Sequence, residues 1–466
     1  MKNEELNIRN EELRMKNRKW LTPMICASLF FILHSSLFIS IHAQNGFNMP
    51  YSQFGIGMSD FYYDFPLAGR TGGVIYTRSG DNFINPFNPA SYAGIGMESF
   101  VFDMGADIQI TRLQNNDKSV KDADGNLTHL TFGLPITQWW KLAGGLLPYS
   151  SVDYSSVSQG VYLDSSVIKT VYDGTGGINM AFIGSAFNIL GNGKEGRRLQ
   201  AGFNINYLTG RIQRAVTYSF SGIDSTHYKP SRRYKETKIG NVTFDLGVQY
   251  WEPLNEKYTL GIGLVYKPYR KMDITDKALI YTFFTSDQSL ADTIFPAQGE
   301  SPEFTSTLEQ DHTIGIGLSL ERNNRWLVAA DATFSGWSDM KYTEGVTPPI
   351  VGESALMTGP YSRYALGFEK VGVMDASTYW GRISWSAGIH TERGAMRLMI
   401  GGQEQVINEW GFGLGATLPM RKGRSLLTLS FGYRSYGNKN LLQRNSISIG
   451  ISISTCERWF MKRKYN

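Results

Sequence analysis

The chain has 466 residues, 13% of them aromatic and 19% charged, with 50 glycines and a formal net charge of +5. Aromatic and β-branched residues are too plentiful for a disordered chain, and the charge is too small for this length to indicate nucleic acid. Outside the N-terminal region no apolar run reaches the roughly 18 residues that a membrane-spanning helix needs, which excludes a helical membrane protein.

The opening reads as an export signal. Lys16, Arg18 and Lys19 are basic, Leu29 to Ile41 is apolar, and "IHA" before Gln44 offers the small residue that a signal peptidase requires. Residues 1–43 are expected to be removed, and the acidic stretch "MKNEELNIRNEELR" points to a true start at Met15. Cys26 lies inside the signal without a lipobox. The mature chain then keeps only Cys456, so no intrachain disulfide is expected. Residues 44–97 follow, with "YSQFGIG", "LAGRTGG" and "INPFNPASYAG". Each Asn-Pro pair favours a turn, and proline fixes φ and keeps its predecessor out of the α region. A compact coil without ladders is expected, either plugging a barrel or trailing as a periplasmic tail.

From about residue 98 the period is two. "SFVFDMGADIQI" sets Phe100, Phe102, Met104, Ala106, Ile108 and Ile110 against Val101, Asp103, Gly105, Asp107 and Gln109. "VTFDLGVQY" and "SISIGISIS" repeat the pattern. A soluble sandwich would also alternate, whereas a membrane barrel turns its apolar side to lipid and its polar side to the lumen. Strand length and alternating short and long connections favour the barrel. The expected fold is all-β, a transmembrane antiparallel barrel of about fourteen strands over 98–456. The strands lie near 98–111, 127–137, 139–152, 176–190, 198–219, 238–251, 256–282, 305–322, 324–342, 359–371, 378–391, 406–419, 424–436 and 444–455.

Several features refine this reading. Trp139, Trp140, Trp251, Trp326, Trp337, Trp380, Trp410, Trp459 and Phe460 sit near strand ends, as interface girdles would, although ordinary sheet packing gives the same pattern. Lumen-facing glycines recur at Gly261, Gly263, Gly315, Gly317, Gly411, Gly413 and Gly415. Glycine weakens a strand unless something must approach its backbone, so either curvature or a filled lumen explains them. Asp103, Asp107, Asp245, Asp331, Glu369, Arg382, Glu409 and Arg434 are expected to face inward. They would pair with one another and with Arg70 and Arg78, or line a solvated wall. In the third strand, "WWKLAGGLLPYSSV", Gly144 and Gly145 permit a bend and Pro148 cannot donate to a ladder. Either a kink opens a gap between strands 2 and 3 or 3 and 4, or Pro148 simply ends the strand. A polar lumen would favour sideways escape of a greasy ligand, since each buried CH₂ is worth about 0.8 kcal/mol.

Asn88-Pro89-Ala90 resembles the hatch motif of the FadL/TodX family of outer-membrane transporters of hydrophobic compounds. "PYSQFGIG", "GLLPYSSVDY", "YDGTGGINMAFIG", "INEWGFGLGATLP" and "RWFMKRKY" resemble the Bacteroidota version of that family. The resemblance implies a hatch over 44–97 inside a fourteen-stranded barrel, and the basic Lys462, Arg463 and Lys464 are read as a solvated periplasmic tail over 457–466. It also implies an outer pocket for hydrophobic ligand and lateral release at Gly144, Gly145 and Pro148. Passive uptake of long-chain fatty acids or related compounds is expected, gated by hatch movement around Asn88, Pro89 and Ala90. The expected partners are membrane lipid and a hydrophobic ligand, with no nucleic acid and no cofactor, in an outer-membrane monomer.

No catalytic or metal set is expected. G-x-S-x-G and H-E-x-x-H are absent from the sequence. His129, His312 and His390 are read as isolated rim residues, His227 as a loop residue, and Cys456 as unpartnered. Two alternatives stand beside transport: a barrel of this shape serving type IX protein secretion or another interaction, and a lipid enzyme at the barrel rim.

Overall fold

The computed structural model describes residues 49–458, apart from 54, 59–60, 98, 117, 162–166, 192–195, 222–228, 284–289, 297–300, 324, 337–341, 344–355, 401–402, 421–424 and 439–440. The expected signal, His227, Trp337, Trp459, Phe460 and the end of the tail lie outside the described residues. Fourteen wall strands form one closed antiparallel barrel. They are β1 (Ser99–Gln114), β2 (Ser119–Pro135), β3 (Trp140–Val161), β4 (Val167–Leu190), β5 (Arg198–Ser221) and β6 (Ser231–Pro253). Next come β7 (Tyr258–Lys267 running on into Arg270–Phe283), β8 (Glu303–Gln310 into Thr313–Arg322), β9 (Trp326–Ser335) and β10 (Tyr361–Lys370). The wall ends with β11 (Ser384–Ile400), β12 (Gln403–Met420), β13 (Ser425–Asn438) and β14 (Leu442–Arg458). Each strand pairs with the next, and β1 pairs with β14 from Ser99↔Arg458 to Gln114↔Gln443, so the sheet has no open edge at its ends.

Alternation is inverted relative to a soluble protein. Ile108 is 58% exposed while its neighbour Asp107 is 4% exposed. Ile183, Phe244, Leu366, Ile389 and Ile449 are likewise exposed on the outside. An apolar outer belt of this extent is stable only against lipid. Closure satisfies the backbone groups that lipid would leave bare.

The wall is lopsided. β4 and β5 have 24 residues each, β9 and β10 only 10. A tilted crossing needs roughly 9–11 residues, so the β3–β6 side runs on well past the bilayer. Stretches expected as outer loops are therefore partly strand: 112–126, 153–175, 220–237 and 392–405 all contribute to ladders. Above the lipid both faces are wet, so these residues lose their period-two signal while their backbones still pair.

Two other expectations are corrected. Tyr379–Arg382 is a helical turn in which the Thr378 hydroxyl accepts from Gly381 N at 3.3 Å, so β11 starts at Ser384 and Arg382 is no lumen residue. Trp251 faces inward, 6% exposed, with the Arg198 guanidinium 4.5 Å from its ring centre, and so belongs to no lipid girdle.

Candidate functional site

Among the described residues of 49–97 the helices are short turns, at Pro50–Gln53, Phe61–Asp64, Pro66–Gly69 and Pro89–Gly94, and the segment packs on the inward faces of the wall. The Asn-Pro segment shows why it needs those residues. Asn88 caps the last turn: its Oδ1 accepts from Ala90 N at 3.1 Å, and its Nδ2 donates to Tyr76 O at 2.7 Å. Asn88 is fully buried. The wall leaves it room by omitting side chains. Gly202 and Gly247 are register partners on β5 and β6, and a Cβ on Gly202 would lie 2.5 Å from Pro89 O. A Cβ on Gly247 would lie 2.8 Å from Pro89 Cδ. Gly263 and Gly317, paired on β7 and β8, do the same for Tyr76. Lumen glycine is thus recess for a close backbone approach.

Charge holds the middle of the segment. Glu369 on β10 meets Arg70 at 3.2 Å and Arg78 at 2.5 Å, which is the pairing expected of those two arginines. Burial works against the Arg70 charge and lowers its pKa, with Glu369 opposing that shift. Asp331 accepts from Ile75 N at 2.6 Å and Tyr76 N at 2.9 Å. Arg434 donates to Asp64 at 2.6 Å.

The wall itself has a seam. β2 and β3 pair only from Pro135↔Lys141 to Leu130↔Leu146. Beyond Leu146, β3 continues with β4 alone, and its register with β4 shifts between Pro148 and Ser150. Gly144 and Gly145 therefore lie in the last rungs of the β2–β3 ladder, and Pro148 lies at the bulge just above. The freed edge of β3 bonds to the start of the N-terminal segment. Ser151 and Met58 exchange both backbone hydrogen bonds at 2.9 Å, and Met49 N donates to Asp153 O at 2.6 Å. The Arg214 guanidinium on β5 donates to Gln53 O at 3.0 Å and also to Gly55 O. Gly57 has φ +91°, and a Cβ there would strike Ser151.

Behind the seam the lumen is apolar, which corrects the expectation of a wholly polar interior. Ile56 packs among Val152, Tyr154, Ile178, Leu208, Ile239 and Leu308. Met49 and Tyr51 pack across the lumen with Leu113, Ile407 and Tyr436. Burial pushes the Tyr51 hydroxyl up to about 12. Ile56, Met58 and Arg214 escaped the sequence reading. The available signal was an isolated isoleucine between Gly55 and Gly57.

The histidines differ from expectation. His129 and His390 are 1% and 6% exposed, inside rather than at the rim. His129 sits between Asp103 (Nε2 to Oδ1, 3.1 Å) and the Thr128 hydroxyl (Nδ1, 3.0 Å), beneath Phe65. His390 stacks on Tyr63 at 3.8 Å. The Thr128–His129–Asp103 chain has the atoms of a relay, and all three residues are buried. His312 accepts from Tyr269 N at 3.0 Å in an exposed position.

These features define a membrane-spanning β-barrel that holds its own N-terminal segment against its inner wall. Residues 24–466 match the BamG family model, and the chain belongs to the BamG family. No curated protein sequence matches the chain. Among solved structures, the CymD monoaromatic hydrocarbon channel is 13% identical with TM-score 0.51, over 86% of this chain and 100% of that one. A TodX deltaS2S3 mutant monoaromatic hydrocarbon channel is 12% identical with TM-score 0.52, over 84% and 98%. The Ralstonia pickettii toluene transporter TbuX is 13% identical with TM-score 0.49, over 85% and 98%. At these identities the likeness is one of fold, and the fold is that of a FadL-like outer-membrane barrel.

Proposed function

We propose that the protein is a passive outer-membrane channel for small hydrophobic molecules, long-chain fatty acids among them, that releases ligand sideways through the wall. Residues 1–43 direct export and residues 44–97 act as a hatch. The sequence alone puts the movement around Asn88, Pro89 and Ala90; the burial and bonds of Asn88 favour that turn as the anchor of the hatch, with residues 49–58 as the part that moves. Gly144, Gly145 and Pro148 shape the exit. The observation that carries this reading is the end of the β2–β3 ladder at Leu146, beside an apolar cluster into which Ile56 packs and next to which Met58 bonds to the freed edge of β3. A greasy ligand that displaced Ile56 from this cluster would lie next to lipid and be separated from it by no complete ladder. The apolar outer belt and the short turns at the terminal end of the barrel support outer-membrane placement. The channels of similar fold carry monoaromatic hydrocarbons by name, which makes toluene a second probe.

The test is uptake of labelled palmitate and labelled toluene by cells that lack their own such transporter, with the barrel or an empty vector. Barrel-dependent uptake of either compound, insensitive to an uncoupler, is the expected result. Vector-level uptake of both, with the folded barrel in the outer membrane, would overturn the proposal.

A further inference from the structure

Away from the seam, the inner faces of β1 and β2 carry polar atoms with nothing to bond. Asp107 and Gln109 are successive inward positions on β1, 4% and 0% exposed. Asp124 stands directly across the ladder from Gln109, and Asn126 across from Asp107. Asp107 Oδ2, Asp124 Oδ2 and both amide atoms of Gln109 are buried without a hydrogen-bond partner. Asp64, on the Phe61–Asp64 turn, adds a carboxylate within electrostatic reach of Asp107.

Unfilled buried carboxylate oxygens cost several kcal/mol, so something must complete them. A proton would neutralise Asp107 and, donated to Gln109 Oε1, would still leave Asp124 Oδ2 bare. Water alone would leave the Asp107 and Asp124 carboxylates, diagonal neighbours across the ladder, repelling each other. Gln109 and Asp124 face each other in the ladder, where Cβ atoms lie about 4.5–5.5 Å apart, and Asp107 is the diagonal neighbour of Asp124 at about 7–8 Å. Ligands of one calcium ion, each at about 2.3–2.6 Å from the metal, span the facing distance. Oxygen donors with no nitrogen or sulfur select a hard cation over zinc or copper.

We propose that Asp107, Gln109 through Oε1, and Asp124 bind a divalent hard cation of the calcium type on the inner wall, with water completing its coordination. Among the described residues no three His, Cys, Asp or Glu side chains are arranged to hold a metal. The set here is two carboxylates and a carboxamide. The ion ties β1 to β2 where the other edge of β2 has already parted from β3, and so stiffens one lip of the seam. This site does not depend on what the channel carries.

The test is calcium titration of the purified full chain in detergent, by calorimetry and by thermal unfolding with calcium or EDTA. One site per chain and a higher unfolding temperature in calcium are expected. Asp107→Asn and Gln109→Leu should each weaken binding at least tenfold, while Asp273→Asn, an exposed outward position on β7, should not. Asp124→Asn, at a less buried position, serves if Asp107→Asn does not fold. No calcium heat together with an unfolding temperature indifferent to EDTA would overturn the proposal. Binding undiminished in Asp124→Asn and Gln109→Leu would overturn it as well.

Discussion

Replacing Gly202 by alanine tests whether the Asn-Pro turn is seated against the wall. The new Cβ would lie 2.5 Å from Pro89 O, 2.6 Å from Pro89 C and 2.8 Å from Ala90 N, all backbone atoms that cannot swing aside. Ordinary contact begins at 3.4 Å, so the turn must move from 2.5 Å to that distance, a retreat of about 0.9 Å. The bonds from Asn204 to Pro86 O at 3.1 Å and from Tyr92 to Asn204 at 3.0 Å would stretch beyond hydrogen-bond range. Buried groups left unpaired in this way, or the equivalent overpacking strain, cost about 2–4 kcal/mol in total. Urea unfolding should report that loss, and protease should cut residues 49–97 sooner. Gly160→Ala is the control, because a Cβ there meets only Ile168 at 3.6 Å. Equal stability and equal protease resistance in Gly202→Ala and the wild type would refute the reasoning.

Glu369→Gln leaves Arg70 and Arg78 buried without their carboxylate. Removing one partner of a buried pair costs roughly 3–5 kcal/mol, so unfolding by urea should shift accordingly and binding of a hydrophobic dye should rise. An unfolding curve superimposable on wild type would exclude the ion cluster as a clamp. Arg214→Met keeps the side-chain bulk and removes the bonds to Gln53 and Gly55. Charged hydrogen bonds contribute roughly 1.5–3 kcal/mol each. Amide exchange over residues 49–58 should therefore quicken more than tenfold while β5 is unaffected; unchanged exchange would place the hold elsewhere.

The barrel was legible in the sequence because lipid imposes strict alternation. Phe244, Leu246 and Val248 alternate with Asp245 and Gly247 as a soluble sandwich strand would also do, and strand length with alternating short and long connections points to one face in lipid and one inside. The same logic fails above the membrane, where "SVKDADGNLTHL" is polar on both sides and yet belongs to β2. The lumen glycines were legible as a request for close approach, but not for which atoms approach. Gly202 and Pro89 are 113 residues apart by number, and only the folded chain brings them together. The inward charges at Glu369 and Arg434 followed from register. The burial of His129 and His390 did not, because it depends on Phe65 and Tyr63 packing over them. The roles of Ile56 and Met58 rest on long-range contacts to β3 and β5, which no local pattern encodes.

The most direct measurement of the central claim locks the N-terminal segment to the edge of β3. Met58 and Ser151 exchange both backbone hydrogen bonds, which places their Cα atoms about 5.5 Å apart, within the roughly 4.4–6.8 Å that a disulfide spans. In Met58→Cys/Ser151→Cys, uptake of the compound carried by the wild type should fall to the empty-vector level when oxidised and return on reduction, with both single variants unaffected. Equal uptake in the oxidised and reduced double variant, with the crosslink verified, would contradict a route controlled by residues 49–58 at the β2–β3 seam.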